Sequence, residues 1–92
     1  MTKDEAISTI CDIIHQRDTT RAIYPAQAEA MAKDLLEELE QPRDPQTVER
    51  LIGAITRHDT TYMIPCGQAT ATAIAVLSKL GNEPIEERRF GM

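Results

Sequence analysis

The chain has 92 residues, a formal charge of −5 from fifteen acids against ten bases, and 41% hydrophobic residues, of which only Tyr24, Tyr62 and Phe90 are aromatic. A chain of this length supplies apolar surface for one aliphatic core and not two, so residues 1–92 are expected to form a single domain. The acidic balance argues against binding along a nucleic-acid backbone, and the longest apolar run, 69–77, is too short to span a bilayer.

The opening Met1-Thr2-Lys3-Asp4-Glu5 has no apolar segment of the kind a secretory leader carries. Two cysteines and two histidines match neither a disulfide framework nor a metal site. The expectation is a reduced cytoplasmic compartment and no cofactor. Thr2 and Glu5 form a capping-box signature, in which hydroxyl and carboxylate each accept from an amide that the helix leaves unpaired. Ile7, Ile10, Cys11 and Ile14 follow at helical spacing and predict a first helix over about residues 3–16.

Pro25 suits the first turn of a second helix, where its missing N–H costs nothing. Ala28, Met31, Ala32, Leu35, Leu36 and Leu39 form the apolar stripe of that helix, with charged residues on the other side. Asp44-Pro45 reads as a cap and first-turn proline for a third helix, whose stripe is Val48, Leu51, Ile52 and Ile55. Pro65 opens a fourth, and Gly81 after Leu80 is placed to stop it. The tail 82–92 is read as an arm or a short helix. No strand alternation is present, and the fold class is all-α.

The chain also repeats itself. Residues 2–40 lie over 43–81 without a gap, a period of 41, with eleven identities in 39 pairs. Asp18-Thr19-Thr20 falls on Asp59-Thr60-Thr61, Gln27 on Gln68, and Ile14, Ile23, Leu36 and Leu39 on Ile55, Ile64, Leu77 and Leu80. The expected architecture is a four-helix domain of two tandem αα-hairpins. The fourth helix has diverged. Where the second carries Glu29, Lys33, Asp34 and Glu37, the fourth has Thr70, Ile74, Ala75 and Ser78. An almost wholly apolar helix is buried on more than one side, either as a central helix or through a homo-oligomer contact at Ala71, Ile74, Ala75 and Ser78.

Three functional readings arise. Seven acids lie between Glu29 and Glu49 against Lys33 and Arg43. The leading reading is therefore a small, soluble, non-catalytic inhibitor or regulator. It would meet the basic surface of a larger protein through Glu29, Glu37, Glu38, Glu40 and Asp44. The second reading is capture of a phosphorylated, nucleotide-like ligand. If the two Asp-Thr-Thr turns share one end, Arg17, Thr19, Thr20, Arg21 and Gln27 meet Arg57, His58, Thr60, Thr61, Tyr62 and Gln68 there, beside two helix N-termini. The same residues also suit ordinary turns and caps. The third reading is a structural subunit of a larger assembly. No catalytic set stands out, and an enzyme is not expected.

Overall fold

The computed structural model describes residues 1–18, 23–59 and 64–82. They form four helices, α1 (Lys3–Arg17), α2 (Pro25–Glu40), α3 (Thr47–Arg57) and α4 (Cys66–Leu80), with no strand among the described residues. The chain is all-α. Beyond Asn82 the tail lies outside the described residues.

Local chemistry fixes most helix ends. The Glu5 N–H donates to the Thr2 hydroxyl at 3.1 Å and the Thr2 N–H donates to the Glu5 carboxylate at 3.1 Å, which closes the capping box of α1. Those hydrogen bonds hold the Glu5 carboxyl below the usual glutamate range. Pro25 is the first residue of α2, as its sequence position predicts. The start of α3 differs from expectation. Asp44 and Pro45 precede the helix, which begins at Thr47. The Asp44 carboxylate accepts from the Gln46 amide and from Arg50, while the Asp44 amide donates to the Thr47 hydroxyl at 2.9 Å. Residues 44–46 are thus held as a turn, and the proline lies outside the helix.

Gly81 keeps right-handed helical angles (φ −60°, ψ −31°) rather than the left-handed cap that glycine often supplies. Glycine is required there by close approach, since a Cβ at this position would collide with the Leu77 carbonyl oxygen.

α1 packs on α2 and α4, and α3 packs on the same two helices, so the four close into a ring. One buried cluster fills it, with Ala6, Ile10 and Ile14 from α1 and Met31, Leu35 and Leu39 from α2. Leu51 and Ile55 of α3 and Ala73, Val76 and Leu80 of α4 complete it. The α1, α2 and α3 members other than Ala6 fall in the stripes read from helical spacing. Ile7, Cys11, Val48 and Ile52 of those stripes are only half-buried, and α4, for which no single stripe is read, contributes one buried side. Burial recurs at the period of 41: Ile10 and Leu51, Ile14 and Ile55, Ala28 and Ala69, Ala32 and Ala73, Leu39 and Leu80 are buried at both places. α4 is not a central helix. It sits between α1 and α3 and keeps an outward face on which Ile74 is 50% exposed.

Cross-contacts orient the helices. The C-terminal ends of α2 and α4 meet through Arg43, which donates to the Leu39 carbonyl and, at 2.9 Å, to the Gly81 carbonyl. Those acceptors are among the carbonyls a helix terminus leaves unpaired. α2 and α4 therefore run in one direction and α1 and α3 in the other, which brings the turns after α1 and α3 to the opposite end.

Candidate functional site

At that end, the turns are built on two buried aspartates. Asp18 Oδ2 accepts from the Ile23 N–H at 3.1 Å, and 41 residues later Asp59 Oδ2 accepts from the Ile64 N–H, also at 3.1 Å. Each carboxylate spans five residues and fixes the entry of the following helix. The two glutamines then cross between the turns. Gln68 Nε2 donates to Asp18 Oδ1 at 3.4 Å, and Gln27 Nε2 donates to the His58 carbonyl at 2.6 Å. The N-terminus of α4 is thereby braced to the end of α1, and the N-terminus of α2 to the end of α3. The N-cap residues Tyr24 and Pro65 make no side-chain cap bond of their own.

Of the residues expected to gather around a phosphorylated ligand, Thr19, Thr20, Arg21, Thr60, Thr61 and Tyr62 lie outside the described residues. The structure sets Gln27 against the His58 carbonyl and, separately, Gln68 against Asp18. Arg17 is exposed at the end of α1. Gln27 Oε1 is buried without a partner among the described residues. An orphaned acceptor asks for a donor such as water, not for the acceptor oxygens of a phosphate.

Arg57 points elsewhere. Its Nη2 lies 2.9 Å from Asp34 Oδ2 and 3.5 Å from Glu38 Oε2, and its Nε donates to the same Asp34 oxygen at 3.2 Å. This forked pairing holds the guanidinium proton more firmly than usual, first through the Asp34 hydrogen bond. His58 Nε2 also meets Asp34, at 3.0 Å. Asp34 was not singled out in the sequence, although a signal existed. Arg50 and Arg57 stand two turns apart on α3, and Asp34 and Glu38 one turn apart on α2. Two adjacent stripes of opposite sign result.

The acids expected to meet a partner are distributed along α2 and the loop after it. Glu29 is paired with Lys33 at 3.4 Å, and Glu40 with Lys3 at 3.3 Å. Glu38 reaches Arg50 at 3.5 Å, and Asp44 reaches Arg50 at 2.8 Å. The Arg50 hydrogen bond, followed by that from the Gln46 amide, pulls the Asp44 carboxyl below the ordinary aspartate range. Glu37 is exposed, and no cation among the described residues pairs with it. Glu37, Glu38 and Asp44 line one cleft of about 430 Å³ with Gln41, Pro42 and Arg50. Three carboxylates thus face a single guanidinium, and the cleft retains negative charge.

On α4, Ile74 and Ser78 are exposed, and Ala71 and Ala75 are half-buried. Among the described residues no helix is long and apolar enough to cross a membrane, and no group of three or more His, Cys, Asp or Glu is placed to hold a metal ion. The chain matches no protein-family model, no curated protein and no solved structure.

Proposed function

We propose that the protein is a small, non-catalytic binding protein that inhibits or regulates a larger partner by covering a basic surface on it. The observation that supports this reading is the cleft between the end of α2 and the start of α3. Its three carboxylates outnumber its one guanidinium, and Glu37 on its rim has no cationic partner among the described residues. Glu29 and Glu40, already paired on the surface, contribute less. An exposed pair is worth about 0–1 kcal/mol and opens readily, but the cation leaves a smaller net field. A lysine or arginine of the partner entering beside Glu37 gains an unneutralised carboxylate, and the surrounding acids steer its approach.

The test is a titration of labelled protein with an oligo-arginine peptide, followed by amide chemical shifts. Shifts concentrated at Glu37, Gln41 and Asp44, lost in Glu37→Lys and weakened by salt, are expected. Shifts spread evenly over all the acidic side chains, or identical binding by Glu37→Lys, overturn the assignment. Glu37 is preferred to Glu38 for substitution because Glu38 also holds Arg50 and Arg57.

A further inference from the structure

The bundle has a second face, where α1 and α4 meet, with different chemistry. α4 contains no aspartate or glutamate in a protein of net charge −5. Between it and α1 runs a groove of about 580 Å³, whose floor includes the half-buried Ile13 and Ala75 and whose rim carries Asp12, Arg17 and Lys79. Among the described residues none of these three charges forms an ion pair within the chain. Ile74 stands beside the groove, one turn before Ser78 on the same side of α4, and is 50% exposed.

We infer that this face is a two-fold interface with a second copy of the same chain. A two-fold contact uses one patch twice, so the patch must be complementary to itself. This one is. It offers an apolar knob, Ile74, next to an apolar-floored groove, and it carries both signs of charge, so the acid of one copy meets a base of the other. The α2–α3 face suits a self-contact less, because its exposed cations Lys33 and Arg57 are already paired with Glu29 and Asp34, while Glu37 is left with no cation of its own among the described residues. Two molecules of charge −5 repel overall, but the charges on the groove rim are two cations and one acid, so the patch itself does not add to that repulsion. Apolar side chains set among polar and charged ones, as Ile13, Ala75 and Ile74 are here, also occur in protein interfaces.

Sedimentation equilibrium on the full chain, from low micromolar to near-millimolar concentration, reads this directly. A concentration-dependent dimer is expected. Ile74→Glu should lower the association constant at least about ten-fold, which corresponds to about 1.4 kcal/mol. Its helical circular dichroism in dilute solution should not change, since the side chain is half exposed. Asp12→Lys leaves three cations on the rim and should weaken association. The triple change Asp12→Lys, Arg17→Glu, Lys79→Glu inverts every rim charge, keeps the patch complementary to itself and should restore the dimer. A monomer at the highest concentration, an undiminished dimer in Ile74→Glu, or a triple variant as weak as Asp12→Lys overturns the inference. The oligo-arginine titration reads the other face, so the two proposals fail separately.

Discussion

Replacing Asp18 with alanine removes the buried acceptor on which the first turn is built. Its carboxylate takes the Ile23 amide at 3.1 Å and the Gln68 side-chain amide at 3.4 Å, and both hydrogen bonds are buried. Alanine takes this acceptor from both donors, and a buried donor that loses its acceptor costs about 1–3 kcal/mol. Water entering the loop end recovers part of this, so the net loss is expected to be about 2–4 kcal/mol. That is a large share of the roughly 5–15 kcal/mol that holds a small domain together. In a protein of this size it lowers Tm by about 10–25 °C. Urea unfolding followed by far-ultraviolet circular dichroism measures it, with the slope checked for two-state behaviour. Asp18→Asn keeps an oxygen acceptor and loses the charge, so about half the loss is expected. Gln68→Leu removes the Gln68–Asp18 bond, and a double-mutant cycle with Asp18→Ala should return a coupling of at least about 0.5 kcal/mol. A loss below about 0.5 kcal/mol in Asp18→Ala, the range of ordinary surface substitutions, would refute the claim that this carboxylate organises the turn.

Two further outcomes follow from the helix ends and the thiols. Thr2→Ala opens the capping box and should cost about 1 kcal/mol near neutral pH. Because the box lowers the folded-state Glu5 pKa, its ionic contribution is complete above the ordinary glutamate value of about 4.3 and is lost as pH falls through the lower folded value. The stability gap between wild type and Thr2→Ala should accordingly narrow on acidification; a gap that widens contradicts the cap geometry. Of the two cysteines, Cys66 is exposed, while burial, with Glu29 and Asp12 nearby, raises the Cys11 pKa. Alkylation near neutral pH, followed by peptide mass spectrometry, should modify Cys66 first, and equal rates would contradict the burial of Cys11.

The helices were legible because each is specified locally. Thr2 and Glu5 are three residues apart, Ile10 and Ile14 four, and Pro25 marks the start of α2 by its own covalent geometry. The same logic misplaced the start of α3. Asp44-Pro45 has the local pattern of a helix start, yet Arg50 and the Gln46 amide engage the aspartate in a preceding turn. For the candidate sites, residue types were legible and partners were not. Arg57 read as a ligand-binding cation, but Asp34, 23 residues earlier, holds it. Gln27 and Gln68 read as caps or ligand contacts, while the partners the fold gives them lie in the other half, 31 residues away at His58 and 50 at Asp18.

By itself the sequence determined that the chain is helical, where its apolar stripes lie, and that its aspartates, glutamines and core positions recur every 41 residues. Those properties depend on contacts within a few turns of backbone. Tertiary structure decided which charges neutralise one another along α2 and α3, and that the glutamines brace the two turns from opposite halves. It also left α4 an outward face bearing Ile74 rather than a central position. A side chain's nearest charge or donor is set by how helices pack. Residues far apart in sequence are brought within about 3 Å by burial of stripes that do not themselves contain them.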